Sequence, residues 1–196
     1  DTDTRWVRLV YSYVAWATGW LVFGTLVGLY LGIKFVAPDI DHVPWLGFGR
    51  LRPVHTNTVF WGWSSLAMIG MSLYVVPKTS RSKLFSFPLA YVSLALINAS
   101  VLIANLLLMS GVNNGGQEYR EYVWPVQAVF ATAVVLLAYN LVRTIAARDL
   151  DEIYISNWYI MGGFLWTIAL LVIASLPWYQ QNAVSETVIQ GFYMHM

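Results

Sequence analysis

A histidine just inside an apolar run, with two arginines at its lip, is the grouping in this chain best suited to chemistry. The stretch reads Gly49-Arg-Leu-Arg-Pro-Val-His55, followed by Thr56 and Asn57. A neutral imidazole in an apolar setting is a good ligand for haem iron. Arg50 and Arg52 would pair with haem propionates, carboxylates that are costly to bury alone. Gly62 lies seven positions beyond His55, on the same face of a helix, and would leave room beside a large ring. The same residues also suit a plainer role, in which an interfacial histidine bonds a neighbouring carbonyl and the arginines snorkel to water.

Two further groups carry ionisable side chains. Glu118-Tyr-Arg-Glu121 holds two carboxylates three apart, which share a face if a helix already begins there. The pair could hold a hard cation such as calcium or pass protons near a surface, and it equally suits a solvated loop with an internal Glu–Arg pair. His195 sits in Gly191-Phe-Tyr-Met-His-Met196, within an apolar segment, where an ionisable residue is a candidate for function. One imidazole is not a metal site, so its partners would have to come from elsewhere. His42, beside Asp39 and Asp41, reads as solvated. Asn98 and Asn105 share one face of an apolar run and read as hydrogen-bonding links between helices.

The elements that position these residues follow from composition. Hydrophobic residues make up 58% of the chain and charged residues 11%, with mean hydropathy +0.59. So few charges cannot clothe a water-facing surface, and the lipid bilayer is the expected solvent. A net charge of +1 gives no basis for binding nucleic acid, and the lack of cysteine excludes disulfides and thiolate metal sites. No secretory signal is expected, because Asp1–Arg8 is polar and no small-residue cleavage site follows. A span needs about 20 apolar residues. The runs predict an all-α, polytopic transmembrane bundle with spans at 14–36, 54–76, 88–110, 125–146 and 155–176. A sixth helix begins at 183, with Ser185-Glu-Thr as its cap, and the whole forms a single integral membrane domain over 1–196.

The sixth run reaches Met196 after roughly a dozen residues, where a helix ending within hydrocarbon would leave carbonyls unpaired. The expectation is a longer polypeptide or completion by another chain. Arg5, Arg8, Lys78, Arg81, Lys83, Arg143 and Arg148 fall on one side, against Lys34, Arg50, Arg52 and Arg120 on the other. That bias predicts a cytoplasmic N-terminus. Trp45, Trp124 and Trp178 would form the outer aromatic belt, with Trp6 and Trp158 on the inner face. No Asp or Glu falls well inside the five spans, so no carboxylate-lined proton path is visible.

Gly49-Arg-Leu-Arg-Pro-Val-His-Thr-Asn57 with Tyr74-Val-Val, Glu118-Tyr-Arg-Glu-Tyr-Val-Trp-Pro125 and Ile153-Tyr-Ile-Ser-Asn-Trp158 together resemble one family. It is the catalytic subunit of cbb3-type cytochrome c oxidases, the C class of haem-copper oxidases. The likeness runs from the first span onward. It implies the first five spans of a twelve-span fold and the start of the sixth, the remainder of the same subunit following. It also implies that dioxygen is reduced to water with electrons from cytochrome c, coupled to proton translocation, in the bacterial inner (cytoplasmic) membrane. Membrane-anchored c-type cytochrome subunits are the implied partners.

Residue by residue, the resemblance implies that His55 is an axial ligand of low-spin haem b and that Arg52 and Arg50 contact its propionates. Glu118 and Glu121 match acidic residues near those propionates, where calcium sits in this family. His195 matches the first of three histidines on the active-site copper, beside a high-spin haem of b type. The family pattern there is Trp-Tyr-Gly-His-Asn, against Phe192-Tyr-Met-His-Met196 here. The fifth span also departs, with Ile173-Ala-Ser-Leu-Pro177 in place of a His- and Asn-containing ending. Two alternatives stand beside this expectation: a nitric oxide reductase large subunit, with iron in place of copper, and a non-catalytic membrane subunit carrying haem b or no cofactor.

Overall fold

Apolar runs of this length become helices because a helix pairs its backbone groups within its own segment, as a hydrocarbon solvent demands. A computed structural model of the chain describes residues 2–115, 118–175 and 182–195, and among them every regular element is helical. Helix α1 spans Thr2–Val36 and leads through a short 3-10 turn, Pro44–Leu46, to α2 at Phe48–Asn57. A π-helical segment, Thr58–Ser64, joins α2 without a break to α3 at Ser65–Ser80. Helices α4 (Phe87–Ser110), α5 (Trp124–Ala146), α6 (Ile155–Ser175) and α7 (Ala183–His195) complete the order. Five stretches are long and apolar enough to cross a membrane, namely Thr4–Val36, Phe48–Ser80, Phe87–Ser110, Trp124–Ala146 and Ile155–Ile173.

The helix starts differ from the expected ones where polar residues extend a helix beyond its apolar run. α1 continues back through Arg8 and Arg5, because a turn of polar helix outside hydrocarbon costs nothing in burial. The second span begins at Phe48, so Pro53 lies inside α2. Proline there has no N–H for the preceding turn. One turn on, Asn57 folds back on the helix, its Nδ2 donating to the Pro53 carbonyl at 2.8 Å. α7 is capped by Asn182 rather than by Ser185, whose backbone N–H donates to Asn182 Oδ1 at 2.9 Å. Ser86 caps α4, and Gly111, at φ 92°, ends it. There Val112 N–H reaches back to the Leu107 carbonyl at 2.8 Å, the closing bond of a Schellman turn.

Side-chain bonds fix α1 against its neighbours. Trp6 Nε1 donates to the Leu73 carbonyl at 2.9 Å, Tyr13 Oη to Ala90 at 2.7 Å and Trp20 Nε1 to Asn98 Oδ1 at 2.7 Å. Asn105 exchanges hydrogen bonds with Thr58 at 2.9 and 3.1 Å. Both asparagines of α4 therefore link helices, as the sequence predicts. Leu9, Tyr13, Leu66, Leu73, Ile97 and Leu137 form the buried centre, while Phe35, Leu106, Met68 and Trp124 stay exposed. An apolar exterior of this kind suits lipid.

The bundle has two ends. At one, which we call the Ser80 end, Asn157 Nδ2 donates to Ser80 Oγ and Thr79 Oγ1 donates to Asn157 Oδ1. Asn140 clamps the start of α4, accepting from Ser86 N–H at 3.0 Å and donating to the Ser86 carbonyl at 2.7 Å. The other is the His55 end.

Candidate functional site

His55 projects from α2 towards α1, and two glycines one turn apart on α1 receive it. Its Nδ1 lies 2.7 Å from the Gly24 carbonyl oxygen. A carbonyl only accepts, so Nδ1 carries the proton and the Nε2 lone pair is left for a ligand. The ring rests against Gly28, where a Cβ would stand 2.6 Å from His55 Cε1 and 2.8 Å from Nδ1. Gly24 likewise admits Val59, to within 2.9 Å of where its own Cβ would be. A half-buried imidazole whose Nδ1 is held by a carbonyl has the donor chemistry that haem iron takes.

Gly62 does not serve His55. A Cβ on Gly62 would meet Trp20 at 3.0 Å, so the large ring beside it is that indole. The reason is the π-helical segment, whose wider turn places an extra residue between His55 and Gly62. Seven positions no longer amount to the same face. Gly24 and Gly28 escape a search centred on the arginine–histidine stretch. Their small-xxx-small spacing in an apolar helix was the available signal.

The arginines take different partners. Arg50 Nη1 donates to the Met109 carbonyl at 3.1 Å, and its guanidinium packs over Gly111. It thus complements the negative end of α4. Arg52 makes a 2.9 Å ion pair with Glu118 and stays half-exposed.

The acidic pair gathers through its loop rather than on a helical face. Residues 118–123 precede α5, and Tyr119 turns the chain with φ 63°. Glu118 reaches Arg52, while Glu121 Oε2 accepts from Asn57 Nδ2 at 2.9 Å. Glu121 is buried. That burial pushes its carboxyl up, against the lowering effect of the Asn57 bond. The segment is therefore not a solvated loop with an internal pair, and Arg120 is itself buried, its guanidinium 5.7 Å from the Tyr193 ring centre. The buried Oδ1 of Asn57 makes no hydrogen bond. Carboxylate and amide oxygens, the ligands a hard cation takes, thus collect at this loop.

The loop carbonyls also tie α7 to the site. Trp61 Nε1 and Tyr193 Oη donate to the Tyr119 carbonyl at 3.2 and 3.4 Å, and Gln190 Nε2 donates to that of Glu118 at 2.8 Å. His195, on the last turn of α7, is exposed, with Nδ1 2.7 Å from the Gly191 carbonyl. Its Nε2 is again the nitrogen left for a metal. Among the described residues no group of three or more His, Cys, Asp or Glu could hold a metal ion, so His195 offers a single ligand. His42 is exposed, and the adjacent Asp41 pairs with buried Lys34 at 2.7 Å and with the Tyr30 hydroxyl. The Lys34 bond, then the Tyr30 bond, hold the Asp41 carboxyl down at about 2. Trp178 lies outside the described residues, while Trp45, Trp124 and Trp158 are exposed.

Known proteins are similar to this chain in sequence. The model of the cytochrome c and quinol oxidase polypeptide I family matches residues 8–196. The cbb3-type cytochrome c oxidase subunit CcoN1 of Stutzerimonas stutzeri is 29% identical over 96% of this chain and 41% of its own length. A cytochrome c oxidase subunit 1 homolog of Agrobacterium tumefaciens is 32% identical over 88% of this chain and 32% of its own. A bacteroid homolog from Bradyrhizobium diazoefficiens is 32% identical over 81% of this chain and 29% of its own. The chain thus spans less than half the length of each of these relatives.

Proposed function

Because the chain belongs to the cytochrome c and quinol oxidase polypeptide I family, we propose that it contributes helical spans to the catalytic subunit of a cbb3-type terminal oxidase. That enzyme reduces dioxygen to water with electrons from cytochrome c, coupled to proton translocation. The observation that carries this reading is the His55 imidazole, fixed by Gly24 with Nε2 left for iron. His55 would hold low-spin haem b, and Arg52, with Arg50, would meet its propionates. A haem bound there supplies a one-electron carrier. Glu118 and Glu121 would hold calcium beside it. His195 would give one imidazole to the active-site copper, next to a high-spin haem of b type. The multi-pass chain would sit in the bacterial cytoplasmic membrane, N-terminus inside, with membrane-anchored c-type cytochrome subunits as partners. The bias of basic residues supports that orientation.

Replacing His55 by Ala in the purified, haem-loaded complex should abolish the low-spin haem b bands. An unchanged optical spectrum overturns the ligand assignment. Metal analysis of the same preparation tests the substrate. Copper with haem and no non-haem iron supports the oxidase, whereas non-haem iron without copper moves the protein to the nitric oxide reductases.

A further inference from the structure

The contact between His55 and α1 goes beyond holding a ligand in place. We propose that Gly28, acting with the carbonyl of Gly24, is a positioning element that sets the electron-donating strength of His55 and so the midpoint potential of the haem it binds. The inference rests on the reading of His55 as an axial ligand.

The geometry leaves the ring little choice. At 2.7 Å the Nδ1–H···O bond to Gly24 is short for N–H···O, and it exists because Gly28 presents no Cβ. An added methyl would lie 2.6, 2.8 and 3.2 Å from Cε1, Nδ1 and Nε2 of the ring. All three are closer than carbon normally packs, so the ring has to withdraw from α1 and the bond to Gly24 must lengthen. The α2 backbone cannot follow freely. One turn further on, Val59 is seated against Gly24, and Thr58 is tied to Asn105. A ligating imidazole that donates its second N–H to a carbonyl is the stronger base at the metal-facing nitrogen, which favours the ferric state. Weakening that bond raises the potential.

The test compares glycine-to-alanine variants on one helix. Gly28→Ala should raise the low-spin haem potential by the equivalent of about a tenfold change in the ferric/ferrous ratio, ~59 mV for one electron, with a shifted low-spin resonance. Gly19→Ala and Gly32→Ala are the controls, because among the described residues nothing lies within 4 Å of a Cβ at either position, and both should match the parent. A Gly28→Ala potential equal to that of the controls overturns the proposal. Should Gly28→Ala fail to assemble, exchange of the His55 Nδ1 proton in the parent oxidase answers the same question. Slow exchange into deuterated water is expected of a proton held by Gly24, and fast exchange overturns the idea. His55→Ala separates the two levels. If low-spin haem survives that change, the ligand reading fails. If it is lost while Gly28→Ala behaves as the controls do, only the present inference fails.

Discussion

The two ends of the bundle are held by different chemistry. At the Ser80 end the buried links run through amides and hydroxyls: Asn140 clamps Ser86, Asn157 joins Ser80 and Thr79, and Thr144 Oγ1 accepts from the Phe85 N–H at 3.0 Å, while the exposed Arg143 lies over the Phe85 ring at 4.5 Å. Each of these bonds satisfies a polar group that has left water, while Ser156 Oγ and Arg148 Nε stay buried there without one. At the His55 end Arg50, Arg52, Glu118, Arg120 and Glu121 converge on one loop, and the Asn57 oxygen and the Tyr122 hydroxyl stay buried without hydrogen bonds. A fold seeking only stability would not gather buried ions, since each costs several kcal/mol of desolvation on the order of what its partner returns. The contrast is one of charge: buried Arg120 and Glu121 lie at the His55 end, whereas buried amides and hydroxyls join the helices at the other.

Substitutions can break that division. The largest loss of stability is expected from Asn140→Leu, which strands the Ser86 N–H and leaves the Ser86 carbonyl only the Ala90 N–H at 3.4 Å. Unfolding of the purified complex should show a cost of about 2–4 kcal/mol, with the haem spectrum unchanged before the transition. A spectral change in the folded variant would mean that the two ends are not independent. Glu121→Gln should act less on stability and should alter its pH dependence. Burial raises the folded-state carboxyl above its ordinary value, so the folded chain binds the proton more tightly than the unfolded one. The parent therefore loses stability as pH rises from the ordinary carboxylate range through the raised value. With calcium chelated, that slope should flatten in Glu121→Gln, and an unaltered slope would remove Glu121 from the account. Arg52→Gln should be the mildest, within about 1 kcal/mol in unfolding because its ion pair is half-exposed, yet it should move the low-spin haem potential. A large stability loss with a fixed potential would make Arg52 a structural residue.

How far the sequence reveals this arrangement depends on whether a feature is local. Apolar length alone defines the helices, and the asparagines of α4 announce their role because an amide in hydrocarbon must find a partner. Helix beginnings are less legible, since Arg5, Arg8 and Phe48 lie outside the apolar runs that mark the spans. The site is half legible. His55 and Arg52 stand out by type, but the partners of Glu118 and Glu121 lie 66 and 64 positions away, beyond any spacing rule. Gly62 misleads because periodicity arguments assume a regular helix, and the π-helical segment breaks that assumption between His55 and Gly62.

That segment also bears on ancestry. A wide turn is what results when one residue is inserted into an existing α-helix and both flanks keep their old neighbours. The Thr58–Ser64 stretch can therefore be read as the scar of a single-codon insertion. Within the stretch Phe60 is 44% exposed, although its ring packs against Trp61 and Tyr119 with centroids 4.8 Å apart. Deleting it should return the stretch to ordinary α-helix and leave the His55 notch upstream in place, at the cost of those ring contacts. On this view a lineage could gain or lose the bulge in one genetic step, re-aiming Trp61 and Gly62 without relocating the histidine upstream.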